Sequence, residues 1–381
     1  MRIKSFLKKA VALFLGVFPT SNVIVFESAP IYADNTRAVF DEMVRRHMHK
    51  KYRFVWLHDP RTVPPQGVQH VRFEKMSDGT LTTKLRNLYY FYFAKAFISC
   101  NAVLPARRKG QYAICLMHGA PLKKVRSHYT LPQGLDDIVS FSEYLMPYEA
   151  MNTGSDINKM RLLGFPRNDI LLKTKLDTHA LFNNTEFDKL IYWMPTYRQH
   201  GKVGVSYSNI AMPIIYNEEI AEQINKQAKK NRVLVVIKPH FAQDVSRIKI
   251  MNLSNIRFID DDFLSEHGII NYELLGKADA LLTDYSSVYY DYLLTDRPIG
   301  LCWDDYEVFE EREGFIVDMD TVLAGGEKIY TTDDLCGFIA RIAAGKDVLC
   351  VERRKVTDLI HHYKDENSTK RVVDLIEKKL S

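Results

Sequence analysis

Short apolar runs rich in Val, Ile, Leu and aromatic residues alternate with amphipathic stretches along this chain, and the series starts twice. The first series has runs at 22–26, 53–57, 68–73, 97–100, 112–116 and 138–141, with helical stretches such as 36–49 and 81–96 between them. The second opens near Lys189, with runs at 190–194, 233–238, 256–259, 278–283 and 298–303. A strand covered on both faces reads as a continuous apolar run, and its alternation with helices is the pattern of a parallel sheet with crossover helices. The chain is therefore expected to be α/β, with two Rossmann-like domains. The polar stretch 173–184 marks the boundary, separating a first domain at 21–178 from a second at 179–381. The tail from Asp347 is mostly helical, and its last helix can pack back on the first domain.

Composition removes several classes. With 381 residues, 46% hydrophobic and 26% charged, the chain is neither a disordered polyelectrolyte nor a small stapled scaffold. Its five cysteines are scattered without a CxxC pair, which reads as reduced, mostly buried thiols. No His/Cys group has zinc-like spacing, so no metal or other cofactor is implied. The net charge of +5 permits an anionic ligand or surface without requiring one. Neither GxxxxGK[ST] nor a GxGxxG after the first strand is present, which argues against P-loop NTPases and dinucleotide oxidoreductases. The basic run from Arg45 to Lys51 lies at a helix end, where cations are favoured anyway; it reads as a solvated face, not a nucleic-acid site. Asp260-Asp261-Asp262, after the run 256–259, reads as a solvated acidic loop, with a metal-holding role as the alternative.

Residues 1–20 place Arg2, Lys4, Lys8 and Lys9 before the apolar run 10–19, which is shorter than the about 20 residues that cross a bilayer. Phe6, Leu7, Ala10, Leu13, Phe14 and Val17 fall at helical spacing. An in-plane membrane helix, a core-packing helix and a signal peptide all fit this pattern.

In open α/β sheets ligands collect at the carboxyl ends of strands, so the polar residues that follow strands are the candidates. His118-Gly119 follows 112–116, with Lys123, Lys124 and Arg126 nearby; a histidine on a solvent-open turn suits general-base work. Thr196 and Arg198 follow 190–194, and Lys238 and His240 close 233–237, each pair suited to an anion. Asp284-Tyr285-Ser286-Ser287 lies where a buried strand gives way to a helix, whose first N–H groups and dipole favour phosphate. Ser368 and Arg371 open the last helix in a comparable way.

Taken in order, His118-Gly119-x-Pro121-Leu122-Lys123, Gly164-x-Pro166-Arg167-Asn168-Asp169, Pro195-Thr196-Tyr197-Arg198, Lys238-x-His240, Thr283-Asp284-Tyr285-Ser286-Ser287 and Ser368 with Arg371 make the sequence resemble the CDP-glycerol glycerophosphotransferase family. The resemblance covers nearly the whole chain. It implies a GT-B-like fold, two Rossmann-like domains with parallel sheets facing a cleft, and a second domain that holds the nucleotide. It implies transfer of glycerol phosphate from CDP-glycerol to an acceptor hydroxyl of a glycan, lipid-linked or polymer acceptor, at the inner face of the cell membrane. By that likeness His118 is the base for the acceptor hydroxyl and His240 assists at the pyrophosphate. Thr196, Arg198, Ser286, Ser287, Ser368 and Arg371 line the phosphates, and Gly119, Arg167, Lys238 and Asp284 complete the substrate-binding set. Departures such as Ala120, Gln199 and Phe241 leave every proposed catalytic side chain in place. CDP-ribitol as donor, a nucleotide-sugar glycosyltransferase and a non-catalytic assembly scaffold are the alternatives.

Overall fold

The structure, a computed structural model, describes residues 14–15, 17–124, 130–196, 212–240 and 253–381. Arg198 and residues 1–13 lie outside them. Two compact units emerge: Met1–His118 with Tyr129–Asp169 and Asp365–Ser381, and Gly119–His128 with Ile170–Lys364.

The first unit carries a 7-stranded sheet of β1 (Val23–Glu27), β2 (Arg53–His58), β3 (Val71–Lys75), β4 (Ala96–Ser99), β5 (Tyr112–Cys115), β6 (Asp137–Ser140) and β7 (Met160–Leu162). All pairings are parallel, in the order β3-β2-β1-β4-β5-β6-β7. Strands β1, β4 and β5 are buried along their whole length, which is why their sequences lack polar alternation. Against β1 and β2 the helix Asp34–Arg45 packs Phe40 edge-on to Phe26, Phe54 and Trp56, at ring separations of 5.4, 5.7 and 5.8 Å.

The second unit carries a 6-stranded parallel sheet of β8 (Lys189–Trp193), β9 (Val233–Ile237), β10 (Ile256–Phe258), β11 (Ala280–Thr283), β12 (Ile299–Cys302) and β13 (Glu327–Ile329), in the order β10-β9-β8-β11-β12-β13. The helix Glu218–Lys230 covers one face: Asn217 caps it, acids fill its first turn and lysines its last, and Ala221, Ile224 and Ala228 point into the core.

Strands β7 and β13 have three residues each, too few for a periodic signal, and the sequence reading passes over both. The helix expected over 36–49 stops at Arg45, because His47 turns left-handed with φ 59° and the chain continues as the 3₁₀ turn Met48–Lys50. The two units divide at 169/170, earlier than the sequence-based 178/179, and the helix Ser368–Leu380 belongs to the first. That helix buries Val372, Val373, Ile376 and Leu380, while Arg46 pairs with Asp374 and Glu377, each at 2.6 Å. All five cysteines are free thiols, with Cys100, Cys115 and Cys302 buried.

Just past β6, the helix Met146–Thr153 buries Glu149, whose carboxylate accepts from Ser140 Oγ at 2.8 Å. Burial pushes this carboxyl from an ordinary 4.5 up to about 8. Across that interval the folded chain keeps a proton that the unfolded chain has released, so stability falls as pH rises from 4.5 to 8. Replacing Glu149→Gln is expected to flatten that fall in urea midpoints measured across the interval; an unchanged slope would remove Glu149 as its source.

Candidate active site

In the first unit the strand order reverses between β1 and β4, which opens a crevice at the carboxyl ends of these strands. Residues 116–118 bend back over it. Asn35, fully buried just after β1, donates through Nδ2 to the carbonyls of Leu116 at 3.1 Å and Met117 at 2.8 Å. This grip holds Met117 at φ 55°, a left-handed conformation that costs a non-glycine residue about 1–2 kcal/mol. His118 is thereby set with Nδ1 3.0 Å from the carbonyl oxygen of Cys100, the residue after β4. A carbonyl only accepts, so Nδ1 is the donor and carries the hydrogen. In the neutral ring Nε2 is then the basic atom, on an exposed side chain.

Cys100 contributes its carbonyl to this arrangement. Burial pushes its thiol well above the ordinary range, and Sγ donates to Asn101 Oδ1 at 2.8 Å. The Glu27 carboxylate accepts from the Asn101 N–H at 3.0 Å, although burial raises the carboxyl's own pKa.

Arg167 lies beneath the His118 turn. Its N–H donates to Asn35 Oδ1 at 3.0 Å, and Nη1 donates to Asp34 at 2.9 Å and to the His118 carbonyl at 2.8 Å. The sequence reading put Arg167 on the substrate; in the structure it is 4% exposed and braces the His118 turn. Ser368 and Arg371, expected on the phosphates, are engaged within the first unit. Asp169 fills the first turn of their helix, accepting the N–H of Ser368 at 3.0 Å and of Thr369 at 2.8 Å. The Arg371 guanidinium reaches Leu163 O at 2.8 Å, both Asp365 oxygens at 2.9 Å and Ser368 Oγ at 3.1 Å. Both side chains thus anchor the terminal helix. Gly164, at φ 81°, lets it approach, since a Cβ there would lie 2.2 Å from Ser368 Oγ.

The second unit's strand order reverses between β8 and β11, and Thr196 and the segment 283–287 leave those two strands. Asp284, fully buried, ties them together: Oδ1 accepts from Thr196 N at 2.8 Å and from Tyr285 N at 2.7 Å. Its role is to shape the loop. Thr196 Oγ1 is buried with no hydrogen-bond partner among the described residues, a hydroxyl left for a ligand. Ser286 and Ser287 are half-buried before the short helix Val288–Leu293, and Ser287 makes no side-chain capping bond. Gly119 packs on this loop, because a Cβ there would meet Ser287 Oγ at 2.9 Å. Residues beyond Gly119 are fixed to the same unit by a bridge between Lys123 and Phe315 and by the Ile316 N–H donating to Leu122 O at 3.0 Å.

At the exit of β9, Lys238 is 7% exposed and pairs through Nζ with Asp261 at 2.9 Å, so its charge is already neutralised. Asp260 caps the helix Asp261–Glu266 by accepting from Phe263 N at 2.8 Å. The acidic run is thus a helix cap and an ion-pair partner at a helix start, not a loop, with Asp260 and Asp262 exposed to solvent. His240 is exposed beyond Lys238. The sequence reading missed Asp34, Asn35 and the Cys100 carbonyl. The available signal was the polar pair Asp34-Asn35 soon after the first apolar run.

A family model described as CDP-glycerol:poly(glycerophosphate) glycerophosphotransferase matches residues 10–378. A teichoic acid glycerol-phosphate primase of Bacillus subtilis is 23% identical over 98% of this chain and 96% of its own length. A teichoic acid poly(glycerol phosphate) polymerase of Bacillus spizizenii is 24% identical over 84% of this chain and 83% of its own. Among solved structures, the wall teichoic acid polymerase TagF, in a variant soaked with CDPG, superposes with a TM-score of 0.76 at 19% identity, covering 98% of this chain and 93% of that one. The fold is accordingly GT-B-like. The chain belongs to the glycerophosphotransferase family and is a transferase of phosphate-containing groups.

The tautomer assigned to His118 is directly observable. At a pH where the ring is neutral, long-range ¹H–¹⁵N correlation spectra are expected to show hydrogen on Nδ1; hydrogen on Nε2 would contradict the Cys100 contact.

Proposed function

We propose that this glycerophosphotransferase moves glycerol phosphate from CDP-glycerol to an acceptor hydroxyl of a teichoic-acid-like or capsular polymer and releases CMP. The observation that carries this reading is the Nδ1 contact of His118 with the Cys100 carbonyl, which leaves Nε2 as the basic atom on an exposed ring. An alcohol needs such an acceptor for its proton when it attacks phosphorus. The acceptor oxygen bonds to the β-phosphorus, its proton passes to Nε2, and the bond from the β-phosphorus to the bridging oxygen breaks. The electron pair leaves with CMP.

Negative charge grows on the departing CMP, and hydroxyl or cationic groups near that oxygen lower the barrier. In this reading the Thr196 hydroxyl, buried and unpartnered among the described residues, donates to the diphosphate together with Ser286 and Ser287. Asp284 holds their loops in place, and His240 assists at the pyrophosphate. Arg198 belongs to the same set by its place in the motif. We further place the protein peripherally at the cytoplasmic face of the membrane. No helix among the described residues is long and apolar enough to cross a bilayer, and residues 1–20 have the cationic, amphipathic pattern of an in-plane segment.

Purified protein incubated with CDP-glycerol, CDP-ribitol or UDP-sugars is expected to release CMP from CDP-glycerol in preference to the others; UDP release alone would end this reading. Replacing His118→Ala should lower CMP release by about 10²–10⁴-fold, with CDP-glycerol affinity retained in calorimetry; near-normal turnover would reject the base. The double change Ser286→Ala with Ser287→Ala should instead weaken CDP-glycerol binding about tenfold or more, as expected for lost hydrogen bonds to a charged group. Unchanged affinity would rule out those hydroxyls as phosphate ligands.

A further inference from the structure

At the edge of the first unit's sheet opposite His118, the amino ends of β1, β2 and β3 frame an open pocket of about 650 Å³. Its lining includes Lys50, Lys51, Arg53 and Arg72 with His49 and His70, and no Asp or Glu. The basic run of the sequence is therefore not a plain helix face. Left-handed turns at His47, φ 59°, and His70, φ 65°, bring two separate segments together, and the His49 and His70 rings stack with centroids 3.9 Å apart.

Several observations mark the pocket as an anion site. Glu74 engages Arg72 at 2.5 Å and Arg86 at 2.6 Å, so Arg72 is partly neutralised. Lys50, Lys51 and Arg53 have no ion pair among the described residues. Cations gathered without a counter-charge repel one another, and an anion that enters relieves this. Of the apolar lining residues, Val23, Tyr52 and Phe54 are buried and Val71 is half-buried, so the pocket offers little apolar surface to a bilayer. A soluble polyanion therefore fits better than a lipid surface.

The pocket and the His118 turn stand at opposite ends of the strands of one parallel sheet. We propose that the pocket binds phosphodiester groups of the acceptor polymer, several repeats from the hydroxyl presented to His118. This rests on the glycerophosphotransferase reading above, and it makes acceptors that reach both places better substrates than single-unit ones.

The test pairs binding with turnover in the full-length protein. Lys50 and Arg53 are exposed, so Lys50→Glu with Arg53→Glu is expected to leave the fold intact by circular dichroism. A fluorescent oligo(glycerol phosphate) should bind this variant about tenfold more weakly, while CMP release with a single-unit acceptor stays at the wild-type rate. The control Lys229→Glu with Lys230→Glu makes the same change of charge on the helix Glu218–Lys230. Equal loss in the control would overturn the proposal in favour of net charge. Unchanged oligomer binding would overturn it outright. Loss of binding to phosphatidylglycerol vesicles with unchanged oligomer binding would assign the pocket to a lipid headgroup instead. If no acceptor supports CMP release even in the wild type, the activity reading fails, and the oligomer comparison still decides the pocket.

Discussion

The hydrogen bond from His118 Nδ1 to the carbonyl of Cys100 is a small interaction on which the chemistry of the first unit depends. It assigns the proton, and so selects the nitrogen that can act. Holding that geometry requires the strained turn at Met117, which would relax without outside support. Asn35 supplies this support by spending its amide donors on two successive carbonyls, and Arg167 fixes Asn35 from the other side. The imidazole is thus oriented from beneath, by buried groups, while its working face stays in solvent. A carbonyl or carboxylate on the far ring nitrogen commonly fixes a histidine's tautomer and direction in this way.

The second unit uses a related device with the opposite polarity. A buried carboxylate, Asp284, accepts backbone N–H groups from two loops and locks them to each other. Among the described residues of these two loops, the hydroxyls of Thr196, Ser286 and Ser287 are neutral groups offered to a ligand. Lys238, the obvious cation at the neighbouring strand exit, is already committed to Asp261.

Much of this was legible in the sequence because parallel strands covered on both faces have an unmistakable composition. The runs that became β1, β2, β5, β8 and β9 each lie within a residue or so of their observed bounds. His118, Thr196, Asp284 and His240 were also expected at strand exits and lie there, since the βα architecture puts polar loops at that end. What sequence could not supply was the partner of each polar group. Arg167 looks like a phosphate ligand in a string of letters, and only packing reveals that its charge is consumed by Asp34 and a carbonyl. Ser368 and Arg371 have the pattern of an anion seat, yet Asp169, remote in sequence, already occupies the helix end. Asn35 carries no catalytic signature, because its importance lies in two carbonyls remote from it along the chain. The basic run 45–51 misled in the other direction: periodicity continued the helix, and the left-handed residue that ends it has no signal in its identity as histidine.

The return of Asp365–Ser381 to the first unit has a consequence for biogenesis. Synthesis runs from the amino end, and domains tend to fold as they emerge from the ribosome. Here the first sheet leaves the ribosome long before the helix Ser368–Leu380 that covers part of it, with the whole of the second sheet translated in between. Until that final segment arrives, Asp169 lacks the amides it caps and the surface meant for Val372, Val373 and Ile376 stays uncovered. The nascent first half is therefore an incomplete body until the segment Asp365–Ser381 has been made.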